Sequence, residues 1–434
     1  MKKIILPLLM VSTLVFTGCL QDDDTPIIIE ETTITNNYTN DGDNDGAGYE
    51  TITISGGIAL DTRWTADNVY VLDRKVVVQE GVTLTIDPGT IIKGTAGTGS
   101  LSSALIVARG AKLNAIGTAS APIIFTSASD NIEPGQTAGT NLDSNNRGLW
   151  GGLIMLGRAT ISVSGDTGLA NIEGIPADDT FGLYGVDLEE GETFDDEDNS
   201  GTLQYVSIRH GGALLGEGNE INGLTLGGVG RGTTIDNIEV VANVDDGIEF
   251  FGGTVNASNI FIWAQGDDAL DIDQAYSGTI TNAVVALGEA SDHGLEIDGP
   301  EGSINGEFTI NNLTLIGNTT TANGEYADFR SNAQGHVKNV YAYGFKASSD
   351  VELDNDGVAE NYNAGKISLG TWEIVLPTGV TDVKSIFKND ADVEVSGFGD
   401  SASAVTLGGN STGVGANTSA LSWTYANTAG GFGF

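Results

Sequence analysis

The chain has 434 residues, 40% of them hydrophobic, with 62 glycines and a single cysteine, Cys19. Asp and Glu outnumber Lys and Arg 59 to 18, and the net charge of −41 excludes a nucleic-acid partner, which needs a basic footprint. One cysteine leaves no intramolecular disulfide to form.

Taken in order, the chain begins with Lys2-Lys3 and an apolar run from Ile4 to Phe16. That run is too short to span a membrane stably and predicts an export signal over residues 1–18. It ends in Phe16-Thr-Gly-Cys19, which resembles the bacterial lipobox, with Phe16 where a Leu is usual. The resemblance implies that Cys19 is lipidated, becomes the mature N-terminus and anchors the protein to a membrane. Leu20 rather than Asp follows it, which by analogy with bacterial sorting points to the outer membrane and a surface-exposed domain. Residues 19–48 read as an acidic, flexible tether, rich in Asp and poor in large apolar residues. Asp41-x-Asp43-x-Asp45-Gly46 looks like the start of a calcium loop, but Ile52 stands where the bidentate Glu belongs.

From Tyr49 to about 395 the pattern is that of an all-β solenoid, and 396–434 read as a C-terminal cap. Val76 to Ile92 is one coil, and Ala104 to Phe125 is the next. Glu80-Gly81 and Arg109-Gly110 mark the same turn, where glycine supplies the positive φ of a corner. Residues 128–147 and 166–200 read as two long loops that overhang one face. Strands resume at Leu203, and past Gly357 the pattern loosens. Ile386-Phe and Val393 to Ser396 are expected as last strands, with Trp423-Thr-Tyr and the Gly-Phe-Gly-Phe terminus closing the open end.

Between 235 and 357 the repeat can be written down. Strands starting at Asn237, Asn259, Asn282, Asn312 and Asn339 lie 22, 23, 30 and 27 residues apart, and a second short strand follows each. A period of 20 to 30 residues with no helical segment marks a β-solenoid whose coils stack at roughly 4.8 Å. In the second strand, Ile248, Leu270, Leu295, Ala327 and Val351 alternate with Glu249, Asp271, Glu296, Asp328 and Glu352. The apolar residues face inward and the acids outward. Phe251, Asp273, Asp298, Arg330 and Asp354 form the next outward column, with Asp245-Asp246, Asp267-Asp268 and Asp292-His293 just before the strands. Neighbouring carboxylates roughly 4.8 Å apart repel by ~3.5 kcal/mol at an effective dielectric of 20. Calcium would relieve that repulsion through the hard oxygens of Glu249, Asp271, Asp273, Glu296 and Asp298. The alternative is a solvated acidic face screened by ambient salt.

Arg209-His-Gly-Gly, Asn219 to Gly230, Trp150-Gly-Gly-Leu-Ile and Asp245 to Asn256 resemble a family of secreted or lipid-anchored right-handed parallel β-helix proteins of Gram-negative bacteria. The resemblance covers the chain from about 50 onward and implies that fold, with a capped C-terminal end. A second likeness is to polygalacturonases, glycoside hydrolases of the same fold. Asn243-Val-Asp-Asp-Gly, Gly266-Asp-Asp, Asp292-His-Gly and Phe329-Arg330 follow the order of their motifs on successive coils. It implies that Asp246, Asp267 and Asp268 supply acid and base while His293 and Arg330 position substrate. An extra Asp, Asp-His-Gly for Gly-His-Gly, and Asn332 in place of a Lys depart from that pattern. Gly227-Gly-Val-Gly-Arg-Gly reads as a coil corner, and His210 and His336 as isolated.

The reading that follows is a surface-anchored lipoprotein that binds a glycan, a divalent cation or both on an acidic face. A polysaccharide-degrading hydrolase or lyase is the alternative, and a structural surface spacer the third.

Overall fold

In the computed structural model, residues 35–36, 48–175, 180–214 and 221–434 are described. The export signal, Cys19 and most of the tether lie outside them. Thr35–Asn36 pair antiparallel with Ile52 and Thr53. Among the described residues no helix is long and apolar enough to cross a membrane.

The chain winds into a parallel β-helix. Each regular coil contributes to three parallel ladders rather than to the two read from the repeat. In one coil the first ladder takes 234–236, the second 238–241 and the third 248–251. The first ladder runs from Thr62–Trp64 to Ile367–Leu369, and the second from Glu50–Ile58 to Ala402–Ala404. The third runs from 56–58 to Phe387–Asn389.

The repeated asparagines explain why the sequence pattern hides the first ladder. Asn237, Asn259, Asn282, Asn312 and Asn339 do not start strands. They are the bend between the first and second ladders, with φ between 54° and 63°. Asn tolerates this left-handed conformation better than any residue but glycine. Each therefore turns the chain through a corner while parallel strand pairing continues on both sides, as in Thr234–Val241 and Asn256–Trp263. Asn282 also donates to Asn259 Oδ1 at 2.7 Å, tying one corner to the next. Gly81 and Gly110, both at positive φ, stack as expected through the Gly81 N–H and the Gly110 carbonyl.

Inside, register builds the expected columns. Ile248, Leu270 and Leu295 stack, and beside them Phe250, Ile272, Ile297, Phe329 and Leu353. All are buried in one continuous core that runs from Ile54 to Phe387.

Four local expectations change. The loop 166–200 contains a small antiparallel hairpin, Leu169–Asn171 with Leu183–Gly185. Its neighbours Ile161, Val163, Ile172, Ile175 and Tyr184 pack on the outer side of the third ladder, so apolar contact orders it. A helix, Asp356–Asn363, interrupts the solenoid where Asn355 caps the N–H groups of Gly357 and Val358. Val393 to Ser396 is not a strand, and Ala402–Ala404 is the last one. Val395, Phe398 and Ala402 instead pack on the last core residues and close that end.

The C-terminal aromatic residues lie elsewhere. They run back along the outer side of the second ladder, where Val241, Phe261, Val284 and Ala286 are apolar. Trp423 meets Tyr205 edge-on at 5.5 Å, and Phe432 and Phe434 sit 5.2 and 5.4 Å from Phe261. The Ala426 N–H donates to Glu239 Oε1 at 2.6 Å, over a buried pair in which Arg209 lies 3.6 Å from Glu239.

Candidate functional site

The third ladder positions the acids. Its pleat sends alternate residues outward, and register places Glu249, Asp271, Glu296, Asp328 and Glu352 in one column. A second column forms at the preceding corner. The Asp268 N–H donates to Asp246 Oδ1 at 2.9 Å, and the His293 N–H to Asp268 Oδ1 at 2.7 Å. His293 in turn bridges to Glu325. At the end of its strand comes Asp273, and just past theirs Asp298 and Arg330.

The face points outward, yet much of it is shut off from solvent. Asp268 is 3% exposed, Asp246 and Glu249 6%, and Glu296 8%. Asp271, Asp273 and Asp298 are half-buried, and Asp267 is exposed. Neighbouring side chains cover one another. Asn222 bonds the Glu249 carboxylate, while His293 and Arg330 lie against Glu296.

Two clusters result. In the first, His293 Nδ1 lies 2.8 Å from Asp268 Oδ1 and 3.7 Å from Glu296 Oε2. Arg330 bonds Glu296 and, at 3.0 and 3.1 Å, Asp298 Oδ2. Burial alone would raise the Asp268 carboxyl, but the His293 and Glu296 donors outweigh it and hold it below its usual value. Burial opposes the His293 charge, yet the Asp268 bond lifts the imidazole to about 9. Glu296 is pushed up to about 11, first by burial and then by the bond to Asp268 and its charge. At neutral pH this is one carboxylate held between an imidazolium and a protonated acid.

In the second cluster, Asp246, Glu249 and Asp271 each bring an oxygen within 4.8 Å of the others. Burial, and after it the other carboxylates, pushes all three well above the ordinary carboxylate range. No cation meets Asp246 or Glu249 among the described residues, and Asp271 Oδ1 is buried with no donor. Asn222 completes the corner, accepting the Asp246 N–H at 3.2 Å. A further group, Glu325, Asp350 and Glu352, lies higher on the face. Burial, then the partners Asp350 and Asp390, raises Glu325 to about 7 and Glu352 to about 8.

The residues singled out from sequence therefore share one edge but divide differently. Asp268 and His293 touch, and Arg330 reaches them through Glu296 rather than directly. Asp246 lies both with Glu249 and Asp271 and, on its other side, with Asp245 and the expected partner Asp267, whose oxygens come within 4.8 Å of one another. Glu296 and Asp298, expected beside these as cation ligands, meet the Arg330 guanidinium. Asp273 is raised to about 7 by burial, against a bond from the Gln274 N–H and with repulsion from Asp298. Asp267 is raised to about 6 by partial desolvation and by Asp268 and Asp292. His210 and His336 lie off the face: one bonds the Asn146 carbonyl at 2.6 Å, the other Ser368 at 2.7 Å and Glu307 at 3.2 Å. Sequence reasoning missed Asn222, Glu325 and Asp350. Asn222 had a signal, since Asn222-Gly-Leu-Thr-Leu repeats Asp246-Gly-Ile-Glu-Phe one coil earlier.

No curated protein and no solved structure matches the chain. A family described as a pectate-lyase like beta helix domain matches residues 56–428, nearly the whole described solenoid. That match fits the observed ladders and supports a polysaccharide-related role. The chain belongs to the pectate-lyase-like β-helix family.

Proposed function

We propose that this chain is a surface-anchored lipoprotein whose acidic face binds a divalent cation and, through it, an acidic extracellular glycan. The observation that carries the reading is the corner of Asp246, Glu249 and Asp271. Three carboxyl oxygens converge there with no ion pair among the described residues, and one oxygen of Asp271 is buried without a donor. Such a corner is costly when ionised and empty. Calcium suits it, because it takes six to eight oxygen ligands in flexible geometry. Asp273 adds a further oxygen along the column, and the carboxylates of a glycan would complete the shell. The anchor would be the lipid on Cys19.

Calcium titration against melting temperature in excess sodium tests this reading. Sub-millimolar calcium is expected to raise the melting temperature by mass action on the folded state, and Asp271→Asn with Glu296→Gln to remove that rise. An equal response to sodium at matched ionic strength would refute it. Cys19→Ala is expected to release the protein from the membrane fraction, and retention there would refute the anchor.

A second reading, glycan cleavage, is favoured by the Asp268, His293 and Glu296 cluster. A protonated acid beside a carboxylate is the pairing that glycoside hydrolysis uses. The nearest oxygens lie within 4.8 Å, closer than the ~6.5–9.5 Å of inverting enzymes. One Asp268 oxygen is also committed to the His293 N–H. Release of reducing ends from polyuronates and neutral glycans tests it. Activity lost in Asp268→Asn supports turnover, and no activity on any of them removes it.

A further inference from the structure

The first ladder carries a different surface. Its outward residues form two columns. Thr202, Thr234 and Asn256 stack in one, followed by Thr279 and Thr309. Gln204, Asp236, Ser258, Thr281 and Asn311 stack in the other. On a chain of net charge −41, the only charged residue in these ten positions is Asp236. Its carboxylate is saturated by four side-chain donors: Gln204 at 3.1 Å, Asn237 and Ser258 at 2.8 Å, and Asn259 at 2.7 Å. Burial would raise its pKa, but these four bonds win and hold it ionised as a fixed acceptor.

The surface dips where the side chains are smallest. Ser258 is the shortest residue of its outward column, and on the core side the neighbouring Ala257 is the smallest of the inward column that otherwise holds Leu203, Ile235, Ile280 and Ile310. A concavity of ≈ 340 Å³ opens there, lined among others by Thr234, Asp236, Asn256, Ser258, Thr279 and Thr281. Among the described residues, no partner engages the hydroxyls of Thr234, Thr279 or Thr281.

We propose that this face is a second binding surface, for an extended neutral glycan lying along the helix axis. Coils repeat at roughly 4.8 Å, close to the length of one pyranose residue, so successive sugars meet equivalent hydroxyl and amide groups. Free hydroxyls both donate and accept, as sugar hydroxyls require. The quenched charge of Asp236 fixes Gln204, Ser258 and the Asn237 and Asn259 amides in place without attracting cations. An anionic glycan would face the repulsion of the whole molecule here with no carboxylate corner to hold a bridging ion. The surface lies on a different ladder from the acidic face and does not depend on it.

Affinity electrophoresis of the full-length protein through gels containing a neutral β-1,4-glucan, mannan or xylan tests the inference. At least one of these is expected to retard the wild type. Thr234→Val with Thr279→Val and Thr281→Val keeps the branched shape and removes only hydroxyls. This triple variant is expected to need at least tenfold more glycan for equal retardation, at an unchanged melting temperature. Ser258→Arg, which fills the concavity, is expected to lose retardation too. Asp271→Asn with Glu296→Gln is expected to leave it intact. An unretarded wild type, a triple variant retarded like wild type, or loss confined to the acidic-face variant would each overturn the proposal. None of these results bears on the calcium response, which reports on the acidic face alone.

Discussion

One outward column of the third ladder has two halves of opposite chemistry. Val77, Ile106 and Ile154 lead through Thr225 to Glu249, Asp271, Glu296, Asp328 and Glu352, each paired in register with the next. The backbone is the same throughout, and every one of these side chains points away from the core. The difference lies in what covers them. Ile161, Val163, Ile172, Ile175 and Tyr184 form an apolar roof over the first half. Over the second half lie polar side chains, among them Asn222 on Glu249 and His293 and Arg330 on Glu296. In a solenoid, then, the pleat decides the direction of a side chain, and the roof decides which chemistry that direction can hold.

The largest expected break in this comparison is a charge placed under the roof. Ile154→Asp would bury a carboxylate among aliphatic groups, at a cost of about 3 kcal/mol or more, as would inward Ile272→Asp in the acidic half. Thr279→Asp, outward on the first ladder, should change stability by less than about 1 kcal/mol. Urea unfolding of the three variants checks this, and equal losses would mean that the faces are misassigned.

Next in size is the Asp268 cluster. Asp268→Asn leaves a half-buried imidazolium and a protonated glutamic acid without their carboxylate, which should cost about 3 kcal/mol. It should also bring the His293 pKa down from about 9, as read by NMR titration of the ring. An unmoved His293 would show that the pairing is not formed in solution.

Smaller and opposite in sign is the effect at the unpaired corner. In chelator at pH 8, Asp271→Asn removes a half-buried carboxyl crowded by Asp273, Asp268 and Asp298 and only partly offset by Arg330, and should stabilise the fold by about 1 kcal/mol. With calcium present the same substitution should lose that advantage. A destabilised variant in chelator would mean that Asp271 is already paired.

The finest test is pH. Glu325, Glu352 and Asp328 have folded pKa values raised to about 7, 8 and 6, above their unfolded values. The folded state therefore binds more protons than the unfolded state between about pH 4 and 8. The stability these groups contribute is full below their unfolded pKa values and is lost as pH rises through the folded ones. Melting temperature in chelator should fall by a few degrees from pH 5 to pH 8.5, and calcium should flatten the slope. Asp268, whose pKa is lowered, acts the other way and opposes the trend only at acid pH. A melting temperature that rises with pH over this window would contradict the assignment.

The repeat of Asn and acidic residues by itself determined the solenoid, the inward columns and the membership of the acidic column. A period-2 pattern needs no tertiary information to say which residues share a face. The sequence could not say that the asparagines are bends. A left-handed residue inside a continuous pairing leaves no break in hydrophobicity, so Thr234 to Asp236 merged with the turn before it. Nor could it find the roof, because Ile161, Ile172 and Tyr184 lie in a loop without periodicity and gain their role only from what they cover. The burial of Glu296, its proton and its Arg330 partner belong to the tertiary structure for the same reason. Arg330 comes 34 residues after Glu296 in the chain, and only the stacking of coils brings its guanidinium to Glu296 and Asp298 while leaving Asp246, Glu249 and Asp271 to face one another.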